Sequence, residues 1–182
     1  NLGYFVDNER WWGWGPRAAA IGEETLRNPP DRHAKVKLVE RLKAKYETID
    51  ALNAAWGTAH ASWDALLAHR QPPDMKNEEV LADCGGFGMA FAERYFSVVR
   101  DAVKSVAPNS LYLGVRFHGH VDVAVVVLSA RYTDLISYNI YDNPPDGRVN
   151  QYGKLDKPIL STEWRIGSDP QQTPFRGNDK PT

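Results

Sequence analysis

Two glutamates stand where a reaction could be carried out. Tyr4-Phe5-Val6-Asp7-Asn8-Glu9 and Pro158-Ile159-Leu160-Ser161-Thr162-Glu163-Trp164 each read as a short apolar strand that stops on a glutamate among polar and aromatic residues. Buried strands are apolar runs of about 4 to 8 residues. In parallel α/β barrels the side chains at the carboxyl ends of the strands carry the chemistry. Two carboxyl groups set there can cleave a glycosidic bond: the ionised one attacks the anomeric carbon and the protonated one assists the leaving oxygen. Glu9 and Glu163 are therefore the expected catalytic pair.

The neighbours of the two glutamates differ. Aromatic surroundings and a second carboxylate favour the protonated form of a carboxyl group, whereas hydrogen-bond donors favour the ionised form. Trp11 and Trp12 lie two and three residues after Glu9, while Arg116, Tyr138 or Arg165 could serve Glu163. Arg116 and His118 alternate with Val115 and Phe117, so a period of two sends both to one face at a strand end. There they could bind sugar hydroxyls. Asn8, Trp12, Tyr138, Asn139, Tyr141 and Trp164 complete the expected substrate-binding set. Each also has an ordinary structural use: a turn for Asn8, an ion pair for Arg116, a solvated ring for His118, and core or rim packing for the aromatic residues.

Composition narrows the partners. Lys and Arg number 22 against 23 for Asp and Glu, a formal net charge of −1 that offers no broad basic field for nucleic acid. Aromatic residues make up 11%, with six Trp and eight Tyr, and flat rings stack on pyranose faces as well as filling cores. Cys84 is the only cysteine, which excludes an intrachain disulfide, and no Cys/His cluster has zinc spacing. His33, His60 and His69 lack partners at ligand spacing. Asp7, Asp122 and Asp142 lie near strand ends and could hold a divalent cation with the two glutamates, although no spacing specifically supports it. No apolar run approaches the roughly 18 residues of a membrane span. Neither cofactor nor metal, neither nucleic acid nor membrane, is expected.

The elements that must position these residues alternate along the chain. After a first strand, Leu2 to Asn8, the glycines and proline of Arg10 to Pro16 mark a loop. Arg17 to Leu26 suits a short helix ended by Asn28-Pro29-Pro30. Asp31 is placed to cap a helix with Val36, Val39, Leu42 and Tyr46 along one stripe. Ile49 to Thr58 and Ser62 to His69 read as short helices, and Met89 to Val106 as a longer one closed by Pro108-Asn109. Strand signals return at Leu111 to His118, Leu135 to Tyr141 and Ile159 to Glu163. Val121 to Ala130 could be helix or strand by periodicity, and a parallel crossover favours helix. A short helix is expected around Val149 to Leu155, and residues 168–182 read as a loop or disordered tail.

Four strands alternating with helices predict an α/β fold with a parallel sheet, here a single domain over residues 1–167. Four strands would form half of an eight-stranded barrel, with an apolar inner face to be covered by other segments or by a second copy of the chain. The chain opens directly on strand residues, as a piece of a larger domain would.

Several local sequences resemble those of a known family. Leu2-Gly3-Tyr4-Phe5-Val6-Asp7-Asn8-Glu9 with Trp12-Gly13 resembles the fourth-strand segment of the retaining glycoside hydrolases of clan A, above all the β-agarases of family 50. Leu52-Asn53-Ala54-Ala55-Trp56-Gly57-Thr58 is similar to a stretch of those enzymes and of the family 42 β-galactosidases. Leu111 to Phe117, Asp134 to Tyr141 and Lys157 to Trp164 resemble the fifth, sixth and seventh strands in order. The resemblance implies a partial (β/α)8 TIM barrel, with Glu9 as acid/base, Glu163 as nucleophile, Asn8 on the sugar 2-hydroxyl and a tyrosine, Tyr138 before Tyr141, on the nucleophile. It implies cleavage of β-galactosidic linkages in agarose-like galactan, an oligosaccharide or polysaccharide substrate, and an extracellular or periplasmic setting. Three alternatives remain open: a β-galactosidase on small galactosides, an inactive half barrel that binds carbohydrate or self-associates, and a barrel enzyme that uses its carboxylates as metal ligands.

Overall fold

The computed structural model describes residues 2–10, 18–118, 121–141 and 150–164. Residues 11–17, 142–149 and 165–182, and with them Trp12, Asp142, Arg165 and the expected tail, lie outside the described residues. The elements run β1 (Gly3–Tyr4), α1 (Ala19–Arg27), α2 (His33–Tyr46), α3 (Ile49–Trp56), α4 (Trp63–Ala68), α5 (Glu78–Val106), β2 (Leu111–Tyr112), α6 (Val123–Ser129), β3 (Ile136–Ile140), a 3-10 turn (Gly153–Leu155) and β4 (Ile159–Trp164). They divide into two compact units. One comprises Asn1–Arg10, Tyr95–Val121 and Val126–Thr182; the other comprises Trp11–Arg94 and Asp122–Val125.

Among the described residues four strands are present, all in the first unit, and each pairing is parallel. β1 pairs with β2 through Gly3↔Leu111 and Tyr4↔Tyr112, and β3 pairs with β4 from Ile136↔Ile159 to Ile140↔Trp164. A parallel bridge, Phe117↔Tyr138, joins the two pairs, with Phe117 N–H donating to Ser137 O at 2.9 Å and Asn139 N–H to Phe117 O at 2.7 Å. A Cβ on Gly3 would sit 2.4 Å from Leu111 O, so this glycine lets β1 lie against β2. β3 is buried at all its positions, as a strand covered on both faces must be. Asp134 ties the entrance to β3 to β2: its Oδ2 accepts from Tyr112 N–H at 2.7 Å and from Lys104 at 3.0 Å.

The strand expected over Leu111 to His118 is regular for two residues only. Gly114 and Arg116 have φ of +82° and +53°, which breaks the extended run while Val115 and Phe117 stay buried. Burial nevertheless alternates as expected, with Val115 and Phe117 buried and Arg116 and His118 half-buried, although the backbone between them is not a regular strand. The preference for helix over Val121 to Ala130 is met by α6.

The second unit is helical. Its core gathers Leu26, Leu38, Leu42, Leu52, Trp56, Leu66, Val80, Cys84 and Phe87. α3 and α4 start on Thr48 and Ser62, whose hydroxyls accept from Ala51 N–H at 3.2 Å and Ala65 N–H at 3.1 Å, and α3 stops at Gly57 in the left-handed conformation. The Leu52 to Thr58 motif has a structural purpose here. Asn53 Oδ1 accepts from the Thr58 hydroxyl and from His60 N–H, both at 2.9 Å, and Trp56 Nε1 donates to buried Asp83 at 2.9 Å. Asp83 also accepts from Tyr46 and Lys45, each at 2.7 Å.

Two expectations for α2 change. Its first flanking residue is Arg32, with no side-chain cap, so Asp31 does not cap it. Lys35 joins the buried stripe: its ammonium donates to the carbonyls of Asn28, at 2.8 Å, and His69, the residues that close α1 and α4. A cation suits the exposed carbonyls at helix ends. Burial, and then the charge of Arg70, lower the Lys35 pKa.

α5 begins at Glu78 rather than Met89. The glycines between those positions interrupt the apolar pattern without breaking the helix. Gly88 is there for packing, since a Cβ would fall 2.0 Å from Ala18 O. Among the described residues no helix is long and apolar enough to cross a membrane.

Candidate active site

Glu9 and Glu163 belong to the same unit, Glu163 inside β4 and Glu9 in a bend five residues past β1, because the strand expected over Leu2 to Asn8 is regular only at Gly3–Tyr4. The backbone around each glutamate is specialised. Glu9 has φ +46° two residues after Asp7 at +65°. Non-glycine residues rarely adopt the left-handed region, and only well-determined surroundings hold them there. Glu9 N–H donates to Val115 O at 3.0 Å and Val6 N–H to Gly114 O at 3.1 Å, which keeps this end of the chain on the β2 extension. The Asp7 carboxylate accepts from the Tyr95 hydroxyl at 2.7 Å. Burial first, then the hydrogen bond to Asp7, push the Tyr95 pKa up, so the phenol remains a donor.

Glu163 reaches its place through a bulge. Tyr138 pairs with Ser161 and Asn139 with Glu163, so β3 advances one residue where β4 advances two, and Thr162 is left without a Cα partner. The Thr162 hydroxyl lies 3.1 Å from Tyr138 O and 2.7 Å from Asn139 Oδ1.

The two carboxylates converge on shared neighbours. Asn139, 2% exposed, donates from Nδ2 to Glu9 Oε1 at 2.7 Å. Arg116 Nη2 donates to Glu163 Oε1, and the Tyr141 hydroxyl donates to Glu163 Oε2. Arg116 is fixed by its left-handed backbone and by its N–H, which donates to Ser137 Oγ at 2.9 Å. The hydrogen bond to Glu163, then desolvation, then the charges of Glu163 and Glu9 push the Tyr141 pKa up to about 12. One phenol thus feels both carboxylates.

The tyrosine on Glu163 is Tyr141, where Tyr138 was the first expectation. Tyr138 is fully buried, its ring stacked on Tyr152 at 5.5 Å and its hydroxyl 3.2 Å from that of Tyr152. Of the remaining expected residues, Asn8 and Trp164 are exposed, Trp164 by 66% at the end of β4, and His118 is half-buried. Trp12 lies outside the described residues. Asp122 caps α6, accepting from Ala124 N–H at 2.9 Å and Ala18 N–H at 3.1 Å, and Asp7 holds Tyr95. Among the described residues no group of three or more His, Cys, Asp or Glu is arranged to hold a metal ion. Thr162, Ser137 and Tyr95 carry site interactions that the sequence patterns did not single out.

No family model matches the chain. It is 33% identical over 178 residues to β-agarase B and 34% over 188 residues to β-agarase A, both of Vibrio sp. (strain JT0107), in each case covering 92% of this chain and 18% of the relative. In three dimensions it matches PfGH50B with a TM-score of 0.81 at 34% identity, and an exo-β-agarase with a TM-score of 0.80 at 35% identity. These matches cover 91% of this chain and 25% and 23% of the two structures.

The chain resembles the family 50 β-agarases. A weaker likeness, 24% identity over 120 residues, links it to β-galactosidase BgaB of Geobacillus sp. (strain Y412MC61). The chain spans less than a fifth of the length of these curated relatives.

Proposed function

We propose that this chain carries the two-glutamate centre of a retaining glycoside hydrolase that cleaves β-galactosidic linkages in agarose-like galactan. The observation that supports it most is the shared environment of the two carboxylates. Asn139 bonds Glu9 and is the register partner of Glu163, and both charges act on the Tyr141 hydroxyl. In this reading the strands correspond to the fourth to seventh of a (β/α)8 barrel, and the site lies at their carboxyl ends.

The division of labour follows the donors. Glu163, held by a guanidinium and a phenol, attacks the anomeric carbon; the glycosidic C–O bond breaks and a glycosyl ester forms. Glu9, held by a neutral amide, gives its proton to the departing oxygen. In the second step Glu9 takes a proton from water, and the resulting hydroxide displaces Glu163. Arg116 and Tyr141 hold the Glu163 oxygens in line and accommodate the charge that leaves and returns. The carboxyl groups are expected about 5 to 5.5 Å apart, the separation that direct attack requires.

Asn8, Trp12, His118 and Trp164 would contact the sugar, Trp164 by offering its exposed face to a ring. A polymeric substrate implies an extracellular or periplasmic setting. Reducing-sugar release from agarose and from small galactosides, measured for the full-length protein beside E9A and E163A, tests the reading. Release by the parent and its loss in both variants is expected; equal activity in all three would remove it.

A further inference from the structure

Asn139 was expected to touch substrate, yet its amide is taken at both ends. Nδ2 donates to Glu9 Oε1 at 2.7 Å and Oδ1 lies 2.7 Å from the Thr162 hydroxyl, in a side chain only 2% exposed. A hydroxyl has one proton and an amide presents a donor on one side and an acceptor on the other. The Thr162 hydroxyl reaches two acceptors, Asn139 Oδ1 at 2.7 Å and Tyr138 O at 3.1 Å, and the shorter contact takes its proton to Oδ1. While it donates there, the amide cannot turn over, because its NH₂ would then face the Thr162 proton and its carbonyl would face the Glu9 carboxylate. Thr162 can supply that donor because the bulge leaves it as the extra residue of β4.

We propose that Asn139 and Thr162 are a positioning pair that decides which oxygen of Glu9 carries the catalytic proton. Oε1 already accepts an N–H and has no room for a second proton along that line. The proton must reside on Oε2, the oxygen turned away from Asn139, from which it passes to the leaving group. A flipped amide would accept instead, draw the proton to Oε1, and remove it from the bond to be cleaved. The inference rests on the assignment of Glu9 as acid/base.

The test exploits the leaving group. Departure of a sugar alkoxide needs a proton, whereas 2,4-dinitrophenolate departs without one, so misplaced acid catalysis shows on the first substrate only. In the full-length protein, N139A and T162V should lose about 10- to 100-fold in kcat/KM on agarose oligosaccharides, part of the 10²- to 10⁴-fold that acid/base catalysis supplies. The change on the 2,4-dinitrophenyl glycoside of the same sugar should stay within about threefold. T162S, which keeps the hydroxyl, should recover most of the loss. Equal losses on both substrates, or none on either, would overturn the proposal while leaving the hydrolase reading in place. A parent protein inactive on both would remove the two together. T162V changes shape least and guards against an N139A variant that fails to fold.

Discussion

Asn139 and Glu163 are register partners across the β3–β4 pair, one step beyond a bulge, and the side chain of the first reaches the other expected catalytic carboxylate, Glu9. Residues distant in sequence are thereby held by a single strand position. The bulge accounts for it: an extra residue on one strand re-aims the side chains that follow.

Tyr141 provides the first prediction. With its pKa pushed up to about 12, chiefly by the hydrogen bond to Glu163, the phenol stays a donor through the neutral and moderately alkaline range. Removing a hydrogen bond to a charged group costs about 1.5 to 3 kcal/mol, so Y141F should lower kcat/KM by about 10- to 100-fold. Its pH profile should keep any alkaline limb below pH 11 at the same position as in the parent. A limb near pH 10 that disappears in Y141F would show that the phenol ionises earlier.

Arg116 is expected to be irreplaceable by lysine. Its side chain supplies a guanidinium to Glu163 from a left-handed backbone position, and an ammonium lacks the planar fork. R116K should lose at least about tenfold in kcat with little change in thermal midpoint, because the residue is half-exposed. Parallel losses of activity and stability would assign Arg116 to structure instead.

Two glycines of α5 should respond in opposite directions to the same substitution. In G88A the new methyl would meet Ala18 O at 2.0 Å, and a loss of about 3 kcal/mol is expected. Gly85 has nothing within 4 Å of its Cβ direction, so G85A should gain about 0.5 to 1 kcal/mol from helix propensity. Denaturant midpoints decide between them, and a G88A variant as stable as the parent would contradict the packing described.

Cys84 links stability to pH. Burial first, then the charges of Asp83 and Glu23, push its pKa up to about 12 from 9.0. Between those values the unfolded chain releases its thiol proton while the folded chain keeps it, so this contribution is fully present below pH 9 and fades as pH rises toward 12. A thiol reagent at pH 8 should leave the folded protein unlabelled and react after denaturation. Rapid labelling of the native protein would contradict the burial.

The placement of Glu9 and Glu163 in one unit, the helix stripes and the parallel pairing were legible from pattern: apolar runs of strand length, three-and-four spacing, alternation of strands with helices, and a glycine at the end of α3. What was not legible depends on backbone geometry. The left-handed Arg116 interrupts the extended backbone of a segment that reads as strand, the bulge at Thr162 leaves no mark in a sequence of strand formers, and the choice between Tyr138 and Tyr141 turns on which one the strand end exposes. Lys35 was invisible because its partners are backbone carbonyls from two other helices. The early start of α5 was hidden by its glycines, of which Gly88 serves packing against Ala18.

The most direct test is to trap the intermediate. A galactan-derived substrate with fluorine in place of the 2-hydroxyl slows both steps by destabilising the oxocarbenium-like transition state, and a good leaving group restores the first, so a glycosyl ester should accumulate. Peptide mass spectrometry of the full-length protein should then find the sugar on Glu163. A label on any other residue, or turnover with no ester and with inverted anomeric configuration in the product, would contradict the two-glutamate assignment.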